Sequence, residues 1–256
     1  MLKLASEVAR EAGALIREGR SDLQVVHKGS VDLVTQLDKA SEDLIRERLS
    51  QADSSIPVLA EEEGGPTEAN TRWIVDPLDG TTNFVHNFPF YCVSIALEID
   101  GQLQVGVVYD IPNDRLYGAE KSKGAFCNNQ PIQVSRCKEL DQALVASGFA
   151  YDRRVRADFY LAYVKRFLET TQGFRRCGSA ALDLAMVATG QLDAYWEFGL
   201  HPWDVAAGAL LVREAQGQVS DMDGSSFSVN EGRVLASNGL LHTQMIRQVI
   251  PILRRT

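Results

Sequence analysis

With 256 residues and 45% hydrophobic content, the chain has the length and composition of a soluble globular protein with one large core or two closely joined halves. Its formal net charge of −8 argues against a general nucleic-acid binder, because phosphate backbones are held by an excess of Lys and Arg, and a phosphorylated small molecule would need metal ions to be gripped here. Cys92, Cys127, Cys137 and Cys177 show no close pairing and no metal-ligand spacing. No stretch approaches the roughly 20 apolar residues of a membrane span, and the N-terminus carries no apolar signal core. A disulfide framework, a zinc site and a membrane protein are thereby excluded, and the cytoplasm is the expected location.

Residues 3–19 place Val8, Ala12, Leu15 and Ile16 on one face, the spacing of an amphipathic helix. The stretch 27–38, HKGSVDLVTQLD, reads as a loop carrying Lys28 and Gly29 ahead of Asp32, Thr35 and Asp38. Thr35 is placed to cap a second amphipathic helix, which runs to about Leu49 with Leu37, Ala40, Leu44 and Ile45 on one side. Residues 56–60 form a short strand that runs into Glu61, Glu62 and Glu63, which in isolation read as a solvated acidic loop.

The most informative stretch is 73–86, WIVDPLDGTTNFVH. Trp73, Ile74 and Val75 are strand formers, and the strand is expected to end at Asp76. Pro77 forces a turn that aims the Asp76 and Asp79 carboxylates into one small volume. Solvated turn residues are the plain reading of such aspartates. Two anions held side by side are otherwise stable only around a cation, and hard oxygen ligands at this spacing suit Mg²⁺. Gly80, Thr81 and Thr82 then enter a helical segment whose free N–H groups favour a phosphate.

Runs at 91–99 and 103–109, joined across Asp100 and Gly101, predict a tight hairpin, and Arg115–Glu120 extends it into a meander covered by the first two helices. The second half offers strands at 143–149, 192–197, 218–221 and 234–237 with helices between them. Gly178, Ser179 and Ala180 open one helix, where a simple cap is the plain reading, and Glu197 reads as a surface acid at a strand end. Pro202, Trp203 and Asp204 open another that ends near Gly217; Asp204 either serves the helix dipole or, joined to the DPLD stretch, supplies a third aspartate to a metal cluster. His201 is taken as structural, and His27, His86 and His242 have no paired arrangement.

WIVDPLDGTTNF resembles the signature of the inositol monophosphatase family, Mg²⁺-dependent and Li⁺-sensitive phosphomonoesterases, and PWDVAAGALLVREAQG at 202–217 resembles its second signature. The likeness covers nearly the whole chain. Related phosphatases usually have Lys-Glu-Phe after the first threonine or serines after the glycine, whereas Thr82, Asn83 and Phe84 match the inositol monophosphatase branch. The resemblance implies an α/β fold, a layered α-β-α-β-α sandwich of the sugar phosphatase type forming one unit over residues 1–256. An N-terminal α+β subdomain, 1–140, would hold a largely antiparallel sheet and the main metal site; a C-terminal α/β subdomain, 141–256, would hold a mixed sheet, the substrate wall and Asp204.

By the same resemblance, Lys28 is a metal-associated lysine on a mobile loop, and Asp38 pairs with Thr81 to orient the attacking water. Glu61, Asp76 and the carbonyl oxygen of Leu78 hold one Mg²⁺; Asp76, Asp79 and Asp204 hold a second, with a weaker third near Glu61. Glu62 lies behind the ligands and Glu63 outside them. Gly80 and Thr81 hold the phosphate through their N–H groups, Gly178, Ser179 and Ala180 wall the substrate's hydroxyls, and Glu197 accepts a hydrogen bond from one of them. Inositol 1-phosphate is the expected substrate, another small phosphate ester such as a sugar phosphate, nucleotide, NADP or histidinol phosphate the alternative. The implied assembly is a homodimer without direct nucleic-acid contact. A protein partner in RNA synthesis is a further reading, with Arg153, Arg154, Arg156, Arg175 and Arg176 as its docking surface, against the simpler one of a solvated basic face.

Overall fold

The computed structural model describes residues 1–22, 25–27 and 33–253, so Lys28, Gly29 and Asp32 lie outside the described residues. The chain opens with α1 (Leu2–Glu18), followed by an antiparallel pair, β1 (Val25–His27) and β2 (Leu33–Thr35), and then α2 (Gln36–Ala52). Thr35 caps α2 as its sequence predicts: its hydroxyl accepts from the Leu37 N–H, and its own N–H donates to Asp38 Oδ2 at 2.8 Å.

A seven-stranded sheet follows, from β3 (Val58–Ala60) and β4 (Thr71–Asp79) through β5 (Cys92–Ile99), β6 (Gln102–Asp110), β7 (Arg115–Glu120), β8 (Ala125–Cys127) and β9 (Gln130–Pro131), in that spatial order. It is antiparallel except where β3 runs parallel to β4. The short helix α3 (Thr81–Val85) lies in the connection from the end of β4 to the start of β5. The β5–β6 turn has φ of 51° at Asp100 and 69° at Gly101, the positive pair that a two-residue hairpin turn demands.

The second sheet contains β10 (Leu144–Ser147), β11 (Gly173–Arg175), β12 (Ala194–Phe198), β13 (Gln218–Ser220) and β14 (Arg233–Ser237), in the order β11-β10-β12-β14-β13. It is mixed: β10 pairs in parallel with β11 and β12, whereas β14 is antiparallel to β12 and β13. Its helices are α4 (Ala157–Thr170), α5 (Ala180–Ala188), α6 (Pro202–Glu214) and α7 (His242–Leu253).

The layering follows from the two-residue period of strands. Trp73 and Val75 on β4, with Val93 and Ile95 on β5, face α1 and α2, packing on Val8, Ala12, Ile16 and Ile45. Ile74, Cys92 and Ala96 point the other way, onto Leu182 and Leu184 of α5 and Ala209 and Leu211 of α6. Those two helices have buried residues all round and form the middle layer, because the second sheet covers their other side with Tyr195, Val234 and Ala236. Trp196, Val145 and Leu235 face outward, under Tyr163 and Phe167 of α4 and Met245 and Val249 of α7. The order is α-β-α-β-α, as expected. Among the described residues no helix is long and apolar enough to cross a membrane.

The one described buried histidine, His242, is only 2% exposed. Ser220 donates its hydroxyl hydrogen to the Asp221 carbonyl, so toward His242 Nε2, 2.8 Å away, its oxygen acts as acceptor. Nδ1 then accepts from Ser237 Oγ at 3.0 Å, and the ring is neutral with its proton on Nε2. Burial pushes the imidazole down to about 4. The folded value lies below the unfolded one of about 6.5, so this stabilisation is complete above that pH and is lost as pH falls through about 4. A difference of about 2.5 units corresponds to roughly 3 kcal/mol. Urea unfolding of the wild type and of His242→Leu at pH 7 and pH 4 is expected to show the wild-type advantage shrinking by about that amount; an advantage unchanged with pH would show that the ring is not buried neutral.

Candidate active site

β4 does not stop at Asp76 but continues to Asp79, a departure from the expected turn. Asp76 lies opposite Ser94 and Asp79 opposite Cys92, so two residues of β4, Pro77 and Leu78, face one of β5, Val93. This is a bulge rather than a turn, and it suits proline, which has no N–H to offer the ladder. α2 fastens it, since Ser41 donates its hydroxyl to the Pro77 carbonyl at 2.9 Å. Within the bulge the Leu78 N–H donates to Asp76 Oδ1 at 3.0 Å.

The bulge opens on a cleft of about 140 Å³ between the two sheets. Glu61, Asp76, Leu78 and Asp79 line one side, with Gly80 and Thr81 beside them. Gly178, Ser179 and Ala180 enter from the start of α5, Glu197 from β12 and Asp204 from the first turn of α6. Of the expected site residues within the described chain, only Asp38 stands outside the lining. It is buried behind Thr81, whose hydroxyl lies 3.0 Å from Asp38 Oδ1 and 3.0 Å from the Leu78 carbonyl. Gly80 takes φ of +91°, and a Cβ there would come 2.9 Å from the Phe90 carbonyl, so this corner is closed to other residues.

Burial, followed by the charges of Glu61, Asp79 and Asp204, holds the Asp76 carboxyl well above the usual range. Asp204 is raised well above it too, by burial first and then by Asp79 and Glu61. Asp79 rises to about 6 through burial, against hydrogen bonds from Ser179, Ala181 and Cys92. Asp38 is raised more modestly, because Thr35 and Thr81 oppose its burial. Among the described residues each cleft aspartate has one oxygen engaged: Asp76 Oδ1 by Leu78, Asp204 Oδ2 by the His201 N–H at 2.6 Å, and Asp79 Oδ2 by Ser179 Oγ at 2.7 Å and the Ala181 N–H at 2.8 Å.

The donor set is wholly oxygen, and its carboxylates raise one another's affinity for a proton, the signature of anions short of a cation. Among the described residues no three Asp, Glu, His or Cys side chains are close enough to hold a metal ion as they stand. The acids therefore ring the cleft rather than forming a closed cage. That suits Mg²⁺, which keeps several waters and takes a few carboxylates together with substrate phosphate oxygens.

The far wall carries residues that sequence reasoning missed. Tyr195 shares a strand face with Glu197, two residues on, and donates its hydroxyl to Glu197 Oε2. Burial raises Glu197 to about 7, with Tyr195, Arg176 and Arg153 acting in the opposite direction. A Cβ at Gly148 would sit 2.0 Å from Glu197 Oε2, so the residue that follows β10 must be a glycine for this acid to occupy its place. Arg153 and Arg176 line the cleft, and Arg156 pairs with Asp152, so the five arginines do not form one free basic face.

The sequence profile of the inositol monophosphatase family matches residues 1–253. An inositol-1-monophosphatase of Synechocystis sp. is 44% identical over 248 residues, 95% of this chain and 86% of the relative. The Nus factor SuhB of Escherichia coli K12 is 41% identical over 243 residues, 93% of this chain and 91% of that protein. Among solved structures, inositol monophosphatase from Anabaena sp. superposes with a TM-score of 0.90 at 42% identity, covering 98% of this chain and 95% of the other. Two layered sheets with an acid-ringed cleft between them thus define a phosphatase. More narrowly, the chain belongs to the inositol monophosphatase family, which is generally metal-dependent.

Proposed function

We propose that this phosphatase hydrolyses inositol 1-phosphate to inositol and phosphate with Mg²⁺, by direct attack of water and without a covalent enzyme intermediate. The observation that carries the reading is the meeting of Glu61, Asp76, Asp79 and Asp204 in one cleft with the Thr81–Asp38 pair behind them. Two Mg²⁺ ions, or three, held by those acids and the Leu78 carbonyl oxygen would neutralise phosphate charge and acidify the water. Asp38 accepts the Thr81 hydroxyl hydrogen, which leaves the Thr81 oxygen free to accept one from water and to orient it. The N–H groups of Gly80 and Thr81 hold the phosphate. Gly178, Ser179 and Ala180 shape the wall for the alcohol, where Glu197 receives a ring hydroxyl.

The direct test is steady-state kinetics with inositol 1-phosphate, with and without Mg²⁺, beside a panel of sugar phosphates, a nucleotide, NADP and histidinol phosphate. Higher kcat/KM on another ester would reassign the substrate; activity independent of Mg²⁺ would overturn the mechanism. Li⁺ is expected to inhibit uncompetitively, by taking a cation position that opens once phosphate is bound.

Glu197→Ala is expected to reduce kcat/KM for inositol 1-phosphate by ten- to a hundredfold, about 1–3 kcal/mol, and far less for phenyl phosphate, which has no ring hydroxyls. Equal losses on both would place Glu197 in the chemistry instead.

A second reading rests on the relative named Nus factor SuhB. A role in RNA synthesis through protein partners, independent of catalysis, would leave a cellular phenotype intact in an Asp76→Asn strain and abolish it in a deletion.

A further inference from the structure

We propose that Glu42 and Arg46, on α2, are positioning residues for Glu61 and set how tightly the cleft holds a divalent cation. The proposal rests on reading Glu61 as a cation ligand. Glu42 is 1% exposed, far from where a lone carboxylate is stable, and its oxygens are spent on the backbone that follows Glu61. Oε2 accepts the Glu62 N–H at 2.8 Å, and Oε1 accepts the Glu63 N–H at 3.0 Å. The first of these bonds fixes the peptide plane joining Glu61 to Glu62, and with it the direction in which the Glu61 side chain leaves the chain.

Arg46 completes the clamp. Its Nε donates to Glu42 Oε1 at 2.8 Å, Nη1 to the Val58 carbonyl at 3.1 Å and Nη2 to the Gly64 carbonyl at 2.6 Å. One rigid fork therefore joins the start of β3, the end of the acidic turn and the buried carboxylate between them. The turn closes on itself as well, the Ala60 N–H donating to the Gly64 carbonyl at 3.1 Å. At Gly65 a Cβ would come within 2.2 Å of the Val58 carbonyl, so the turn lies flat against β3. Asp38, Glu42 and Arg46 are spaced four apart on one face of α2, which thus meets both Thr81 and the Glu61 turn.

The competing account is a buried ion pair that only stabilises the loop, and charge separates the two. Arg46→Gln removes a positive charge, so long-range electrostatics alone would tighten binding of a divalent cation. If Arg46 acts by holding the Glu61 turn, the same substitution weakens it. Calorimetric titration of the full chain with Mg²⁺, well below the melting temperature found in EDTA, is expected to show Arg46→Gln binding about tenfold more weakly, within the range seen when groups supporting metal ligands are removed. Arg46→Lys, which keeps the charge but not the fork, is expected to fall between, and it carries the test if Arg46→Gln does not fold. Mg²⁺ binding by Arg46→Gln at or above wild-type strength would overturn the proposal. Glu61→Gln is the control: if it binds Mg²⁺ like the wild type, the ligand reading falls and this proposal with it; if it loses binding while Arg46→Gln does not, the positioning proposal falls alone.

Discussion

Asp76→Asn is expected to lose at least about 10³-fold in kcat/KM, roughly 4 kcal/mol of transition-state stabilisation, while the protein stays folded. The carboxylate is 1% exposed and belongs to the ring of acids lining the cleft. Asparagine keeps its size and can still accept the Leu78 N–H, so the bulge survives and only the charge is lost. A charge assigned to two cations has no substitute, since Glu61 and Asp204 approach from other segments and Asp79, across the bulge, has one oxygen tied to Ser179 and Ala181. A variant that keeps a tenth of wild-type activity would sink the cation-cluster mechanism. Melting of the same variant in EDTA separates this from misfolding, because relief of a crowded buried anion should leave the transition as high as in the wild type, or higher.

The second large effect is on stability. Asp79→Asn is expected to melt several degrees above the wild type in EDTA, and Asp79→Ala below it. Asp79 has its folded pKa raised to about 6 even with Ser179, Ala181 and Cys92 donating to it. The folded chain therefore favours a neutral side chain of this shape, by up to about 3 kcal/mol at neutral pH on the usual scale of 1.36 kcal/mol per unit. The sign is fixed by the raised value: the penalty is present above about 6 and fades as pH falls toward the unfolded value of 3.8. For a chain of this size each kcal/mol moves the midpoint by about 2–4 °C. Alanine also relieves the charge, but it leaves the Ser179 hydroxyl and the Ala181 N–H without their acceptor, which costs about 1–3 kcal/mol for each group left unsatisfied. Saturating Mg²⁺ should reverse the order of wild type and Asp79→Asn, since a ligand at 100 times its dissociation constant adds about 2.7 kcal/mol per site. If Asp79→Asn is destabilised in EDTA and gains as much from Mg²⁺ as the wild type, Asp79 is only a structural tie.

What could be read in advance was whatever has a local cause. The helical periods of α1 and α2, the Thr35 cap and the Asp100–Gly101 hairpin depend on neighbours within a few positions, and they stand in the structure as expected. The bulge at Pro77 reads as a turn in the sequence because proline suits both, and only the pairing with β5 decides between them. β11, α4 and α7 were not singled out, since what identifies them is the sheet they cover or extend. In the site, the acids could be found because DPLD and PWD are compact strings. Tyr195, Gly148, Arg153 and Arg176 come from segments with no shared motif, and nothing short of the fold brings them to one wall. Glu42 is different: its spacing of four from Asp38 on an amphipathic helix was a legible sign that both face the same way.

The bond from the Ala181 amide to Asp79 spans 102 positions in sequence and closes the seam between the large sheet and the inner helix pair. One carboxylate thus fastens the interior with one oxygen, and on the proposed mechanism it would serve the chemistry with the other. In amide exchange, Ala181 becomes a gauge of what the cleft contains: its hydrogen should leave soonest when crowded charge loosens Asp79, and latest when that charge is balanced. A backbone amide behind the cleft wall would then report, through its exchange rate alone, whether the reaction centre is loaded.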